Sequence, residues 1–194
     1  MGLLACKLYS VIVATFNVAK RFFHKAVWIL ATLKQYSITI GLLTDLGIIL
    51  EQLSSHCMAI GNNKFLAKPY VLPEYNVYIN ADGVGNTYTV IAVNKFQIDT
   101  TTGLHITYGV GDPVFQGRAT SIKLTFLGEY SLVCMCIYAL NEWSANTDFM
   151  SRIVDKLCNS KNKGHMVMLG GDFNAVKNHR LGRSSLTHTE AHNE

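Results

Sequence analysis

The chain has 194 residues, 49% of them hydrophobic and 15% charged, with a formal net charge of +4. That length suits one well-packed domain, and a mean hydropathy of +0.19 asks for a large buried core or for surfaces that expect a covering. No uninterrupted run of 18 apolar residues occurs, so no membrane-spanning helix is expected, and the scattered Lys and Arg permit a polyanionic partner without demanding one.

The opening MGLLACKLYSVIVATF has the look of a secretory leader, but Lys7 interrupts it and no small-residue cleavage site follows. It reads instead as a first core strand, with secretion as the alternative. YSVIVATF (9–16) is β-branched and aromatic and ends at Asn17. From Lys20 to Gln35 the residues Phe22, Phe23, Val27, Leu30 and Leu33 recur at roughly helical spacing, with Lys and Arg on the rest of the segment, which predicts a helix. Apolar runs follow at 38–43 and 46–50, the second (LGIIL) ending at Glu51. The stretch 52–87 holds two of the three prolines and many Asn and Gly, and reads as loops around short strands.

Strands dominate from there. TYTVIAVN (87–94), LHITYGV (104–110), RATSIKLTF (118–126) and YSLVCMCIYAL (130–140) are separated by turn signals such as Leu127-Gly128-Glu129. In the third, Thr120, Ile122 and Leu124 alternate with Ala119, Ser121 and Lys123, which predicts one buried and one wet face. Asp148–Cys158 has helical periodicity through Phe149, Ile153, Val154 and Leu157; Lys161–Gly164 ends it, and HMVMLGG is a short strand. The five cysteines include no C-x-x-C pair, and Cys134 and Cys136 fall on one face of a strand, so they read as reduced core thiols and not as a metal site. No repeat or linker divides the chain. Helices interspersed among strands of both kinds imply an α/β protein on mixed sheets.

Asn17, Glu51, Tyr138, Asp172 and Asn174 all fall at or near the C-terminal end of an expected buried strand, where a sheet presents functional groups. A carboxylate beside a core is costly unless it is paired, hydrogen-bonded or bound to a cation. Two such acids, Glu51 and Asp172, with amides nearby would suit Mg²⁺. Taken singly, a strand-end acid is ordinarily a turn former, and a strand tyrosine ordinarily just packs. None of the seven histidines pairs with an acid at a telling spacing, so the residues alone identify no general base.

In order, TFN (15–17), LGIILEQ (46–52), GR (117–118), IYALN (137–141) and LGGDFNAV (169–176) resemble the signatures of the endonuclease/exonuclease/phosphatase superfamily. The nearest likeness is to the apurinic-type endonuclease domain of LINE retrotransposons, through NEWSANTDFMSRIVDKL and LGRSS (181–185). The resemblance implies a four-layer sandwich of two mixed β-sheets flanked by helices, with residues 1–185 as the N-terminal part of that domain and 186–194 as a polar tail. It implies a Mg²⁺- or Mn²⁺-dependent phosphodiesterase that nicks DNA in the nucleus or cytoplasm. Glu51 would hold the metal and Asp172 would position or activate the attacking water. Asn174 and Asn17 would orient these groups and the scissile phosphate, and Tyr138 would stabilise the transition-state charge. The alternatives are a non-catalytic nucleic-acid-binding remnant and a phosphatase or deadenylase of the same superfamily.

The departures carry their own expectation. The family's Ser-Asp-His stretch lies well beyond GDFN, whereas this sequence runs about twenty residues past it, with His188 and His192 in a polar tail. Leu140 replaces the usual Pro, Gly182 the usual Asp, and Leu50-Glu51-Gln52 scrambles Q-E-T. Loss of an acid/base group alone costs about 10²–10⁴-fold. The expectation is therefore an incomplete second sheet and negligible activity.

Overall fold

The apolar runs sort into two sheets that pack face to face. In the computed structural model the described residues are 11–82, 86–96, 107–108, 115, 117–126, 130–141 and 143–174. The first sheet contains β1 (Val13–Asn17), β2 (Ile40–Ile48), β3 (Cys57–Gly61), β4 (Lys64–Ala67), β5 (Tyr75–Asn80) and β6 (Thr87–Asn94), in the order β1-β2-β6-β5-β4-β3. The second contains β7 (Thr107–Tyr108), β8 (Ala119–Phe126), β9 (Tyr130–Tyr138) and β10 (Met166–Asp172), in the order β10-β9-β8-β7. Both are mixed. β1 lies parallel to β2 and β10 parallel to β9, and every other pairing is antiparallel.

Three clusters of buried side chains make four layers. Ile29 and Leu33 of α1 (Ala26–Gln35) and Leu53 of α2 (Leu50–His56) pack on Leu43, Val77, Ile79 and Val90 of the first sheet. Ile40, Leu42, Ile91 and Val93 meet Ile122, Leu124, Cys134 and Cys136 between the sheets. Phe149 and Ile153 of α3 (Trp143–Asn162) cover Ala119, Met135 and Ile137 on the outer face of the second. The α/β sandwich of mixed sheets expected from the resemblance is the fold observed. Among the described residues no helix is long and apolar enough to cross a membrane.

Several boundaries differ from the sequence reading, for physical reasons. The helix expected from Lys20 begins at Ala26. Residues 19–21 instead run beside the end of β2, with the Lys20 N–H donating to the Asp45 carbonyl at 2.6 Å and that of Phe22 to Leu46 at 3.4 Å. The two apolar runs at 38–43 and 46–50 belong to one strand, whose register with β6 shifts between Thr44 and Ile48. LGIIL is not a strand ending at Glu51: the strand stops at Ile48, and Glu51 stands exposed in the first turn of α2. Gln52 drives that change, because its side chain accepts the N–H of Ile49 at 3.3 Å and caps a helix there. The 52–87 region is more regular than expected, holding α2, β3, β4 and β5. α3 extends the expected Asp148–Cys158 helix at both ends. On β8, Thr120, Ile122 and Leu124 are buried as read, but Ala119 is buried too, because α3 covers its face. Cys134 and Cys136 are core residues, and burial pushes the Cys134 thiol up to about 12. Residues 9–10, most of 104–110, the 127–129 turn, LGRSS and the polar tail lie outside the described residues.

Candidate functional site

The parallel pairs β1–β2 and β9–β10 point their C-terminal ends the same way, and β10 packs across β1 and β2. Two adjacent glycines make that approach possible. A Cβ on Gly170 would stand 2.5 Å from Leu42 Cδ1, so a side chain there would force the buried Leu42 side chain to shift between the sheets. Gly171 has φ +135°, and a Cβ on it would collide with the Ile137 carbonyl of β9. MVMLGG is thus an apolar edge strand whose last residues have been thinned to let the sheets meet.

Asp172 ends that strand at the seam. It sits opposite Tyr138 in the β9–β10 register, and its carbonyl accepts the N–H of Ala139 at 2.8 Å. Its carboxylate is held from both sheets. Asn17 Nδ2, at the end of β1, donates to Oδ2 at 3.1 Å, and the Asn174 backbone N–H donates to Oδ1 at 3.0 Å. Each amide is itself fixed. Asn17 Oδ1 accepts the N–H of Ala19 at 2.8 Å, which turns its NH₂ toward Asp172. Asn174 adopts φ +46° and donates from Nδ2 to the Ala139 carbonyl at 2.5 Å. Asn commonly tolerates this left-handed conformation, since its short polar side chain bonds locally.

Tyr138 ends β9 beside this pair. Partial burial, then the charges of Asp45 and Asp172, push its phenol above the ordinary range, while the Arg118 guanidinium and hydrogen bonding with the Asn174 side chain pull it back. At neutral pH the hydroxyl is therefore a neutral donor. Four of the five residues singled out from the sequence, Asn17, Tyr138, Asp172 and Asn174, come together at one seam. Among the described residues no hydrogen bond joins Glu51 to Asn17, Asp172 or Asn174, and the carboxylates acting on Tyr138 are Asp45 and Asp172.

Asp45 is the residue that the sequence reading passed over. It follows Thr44, which pairs with Asn17, and it is half-buried with φ +54°. A signal was available. Thr44-Asp45 is the polar gap between the apolar runs 38–43 and 46–50, with Gly47 two residues on, and Gly47 too has positive φ, at +58°. Arg118 and Tyr88 were also missed as site residues. The Arg118 guanidinium lies 4.5 Å from the Tyr88 ring centroid and 5.3 Å from that of Tyr138.

The donor set suits a hard cation: two carboxylates with amide and hydroxyl groups beside them are oxygen ligands of the kind Mg²⁺ takes. Among the described residues, however, no group of three or more His, Cys, Asp and Glu is placed to hold a metal ion. The described histidines, His24, His56 and His165, make no hydrogen bond to Asp172; His56 instead pairs with the Tyr70 hydroxyl at 3.0 Å.

No protein-family model matches the chain, and no curated protein matches it. Solved structures do. The endonuclease domain of TRAS1, a telomere-specific non-LTR retrotransposon, is 13% identical with a TM-score of 0.50, over 85% of this chain and 61% of its own. D. rerio TDP2, complexed with single-strand DNA product, is 14% identical with a TM-score of 0.51, over 86% and 61%. A Bacteroides thetaiotaomicron mannosyl-6-phosphatase is 14% identical with a TM-score of 0.54, over 85% and 66%.

The fold is that of the endonuclease/exonuclease/phosphatase superfamily.

The superfamily likeness first read from TFN, IYALN and LGGDFN thus extends to the architecture. At these identities it is a likeness of fold, and the chain spans 61% of the length of the TRAS1 and TDP2 structures. Residues 137–141 and 169–174, the two best-matched motifs among the described residues, lie side by side at the seam.

Proposed function

We propose that residues 1–185 form part of a divalent-metal-dependent phosphodiesterase of the endonuclease/exonuclease/phosphatase type, with DNA as substrate and strand nicking as the reaction. One observation carries the reading: Asp172 is held by Asn17 from one sheet and by Asn174 from the other, at the place where a neutral tyrosine hydroxyl also points. A carboxylate so fixed keeps free lone pairs on both oxygens for a cation or a water. Similarity of fold to a retrotransposon endonuclease and to TDP2 supports the choice of DNA. Acting on DNA would place the protein in the nucleus or cytoplasm.

In this reading Asp172 and Asp45 would hold Mg²⁺ or Mn²⁺, with Asp45 in the role that the resemblance gave to Glu51. The ion when bound supplies a Lewis acid for the phosphoryl oxygen. The chain's own residues do the rest. Asn17 and Asn174 orient the Asp172 carboxylate and leave it an acceptor for a water proton. Tyr138, kept protonated, donates a hydrogen bond to the phosphate oxygen on which charge develops. The described residues provide no histidine at Asp172, so general acid–base help worth about 10²–10⁴-fold is absent from them, and turnover is expected to be slow.

That same poverty of ligands favours a second reading, a nucleic-acid-binding remnant without turnover. A plasmid experiment separates the two. For the first, Mg²⁺-dependent conversion of supercoiled to nicked circle is expected, falling at least about 100-fold in Asp172→Ala. Salt-sensitive DNA retention that survives EDTA and Asp172→Ala, without nicking, selects the second. Neither nicking nor retention would sink both. A phosphatase branch, represented among the fold neighbours, is read by giving the same preparation a phosphomonoester.

A further inference from the structure

Tyr88 and Arg118 are given no catalytic or metal-holding role above, yet both are built against Tyr138. The Tyr88 and Tyr138 rings lie 5.8 Å apart between centroids and within 9° of parallel. The Arg118 guanidinium faces both, 4.5 and 5.3 Å from the two centroids. The backbone fixes all three. The Tyr138 N–H donates to the Arg118 carbonyl at 2.8 Å, and the Arg118 N–H to Phe115 at 2.6 Å. The Tyr88 N–H donates to the Gly117 carbonyl at 3.1 Å.

Gly117 is the seat of this arrangement. Its φ is +70°, and a Cβ on it would run into the Asn86 carbonyl. Only glycine lets residues 117–118 approach β6 closely enough to set Arg118 against Tyr88. Asn86 is held in turn, its N–H donating to Asp82 Oδ1 at 2.7 Å and its Nδ2 to Oδ2 at 3.1 Å.

Arg118 is half-buried and makes no ion pair among the described residues; the ion pairs there are Lys34–Glu74 and Arg152–Asp148. Its Nη1 donates only a 3.4 Å bond to the Tyr138 carbonyl. A guanidinium laid on aromatic faces gains from cation–π attraction and planar stacking, which an ammonium cannot reproduce in full. A phenol on a strand end otherwise rotates about two side-chain bonds, and an ångström of misplacement at a reacting centre costs about 100-fold in rate.

We propose that Arg118 and Tyr88 form a clamp that fixes the Tyr138 ring and aims its hydroxyl at the Asp172–Asn174 seam, Arg118 acting as a positioning residue. What the aimed hydroxyl accomplishes rests on the phosphodiesterase reading; the clamp itself does not.

The test uses the full chain with ¹³C-labelled tyrosine rings, the Tyr138 signal being assigned by its loss in Tyr138→Phe. Tyr88→Leu and Arg118→Lys are compared with wild type, with circular dichroism checking that each folds. Arg118→Lys keeps the charge and removes the plane. Both variants are expected to move the Tyr138 ring signal toward that of an exposed tyrosine and to abolish its nuclear Overhauser contact with residue 88 or 118. A Tyr138 signal unmoved in both overturns the clamp. Where nicking is measurable, kcat falls about tenfold with KM little changed. A rise in KM at constant kcat would instead make Arg118 a substrate-binding group and overturn the positioning role. Absence of nicking in wild type counts against the phosphodiesterase reading alone, since the ring signals decide the clamp without substrate or metal.

Discussion

At the second sheet, β9 and β10 keep an unbroken parallel register from Leu132↔Met166 to Tyr138↔Asp172, and the irregular backbone near their ends is carried by Gly171 and Asn174. At the first sheet, β1 and β2 are parallel too, but left-handed residues that bear side chains follow β1, at Ala19, Lys20 and Arg21, and interrupt β2 at its register shift, at Asp45. Glycine adopts such conformations at little cost, whereas another residue pays roughly 1–2 kcal/mol. The first half of the site must therefore be held by added interactions. Lys25 Nζ donates to the Val18 carbonyl at 2.5 Å and to that of Ala19 at 2.9 Å, and Asn17 Oδ1 takes the Ala19 N–H. One half has its shape from missing side chains, the other from extra hydrogen bonds.

The largest effect should come from attacking the glycine-built half. In Gly171→Val the new side chain meets the Ile137 carbonyl in a conformation that β-branched residues avoid. Strain and overpacking together should cost about 3 kcal/mol or more, read as a lower urea midpoint at unchanged slope. A loss below about 0.5 kcal/mol, within the range of ordinary surface substitutions, would show that β10 can close on β9 without glycine.

The contrast also explains what could be read from the sequence. GGDFN was legible because each residue type answers a local demand: glycine at a close approach, aspartate at a strand end, asparagine in a left-handed turn. The β9 run was legible for a similar reason, since Cys134, Cys136 and Tyr138 fall at a two-residue period. On the first sheet the demand is not local. Phe22 and Phe23 suggested a helix from Lys20, but Phe22 is buried because it packs in the core beside the end of β2. Asp45 was marked only by a two-residue polar gap, Thr44-Asp45, and the gap reads as a break between two strands because the register shift that keeps both runs in one strand is set by the pairing with β6. Glu51 drew the assignment because it follows LGIIL, and the cap formed by Gln52 removes it from the sheet. Arg118 was quoted within a motif, but its aromatic partners come from strands 30 and 20 residues away in sequence.

A middle-sized effect should come from the hydrogen-bonded half. Lys25→Met keeps most of the side-chain volume and deletes both bonds to the left-handed loop. Each such bond is worth about 1 kcal/mol net, so a loss of about 1–2 kcal/mol is expected. The same variant should also loosen the Asn17 amide, seen as faster hydrogen exchange at Ala19, whose N–H is bonded to it. Unchanged exchange at Ala19 would mean that Asn17 alone shapes the loop.

The smallest contrast is the one that best sharpens which acid belongs to the first half. Asp45 acts on the Tyr138 phenol and is half-buried, whereas Glu51 is exposed on α2. Both substitutions remove one carboxylate charge, so a diffuse effect on a cation would be similar for the two. A ligand effect would not be. With Mn²⁺ as the probe, paramagnetic broadening of the Asn174 amide signal should need about tenfold more metal in Asp45→Asn, because a lost oxygen ligand is worth at least about 1.4 kcal/mol. In Glu51→Gln the titration should stay within about twofold of wild type, and stability within about 0.5 kcal/mol, as for an exposed residue whose side chain makes no hydrogen bond or ion pair among the described residues. Equal weakening in both would return Glu51 to the site and require α2 to move toward the seam when metal binds. Weakening in Glu51→Gln alone would remove Asp45 from the metal site, leaving its left-handed backbone as a device for routing β2 into α2.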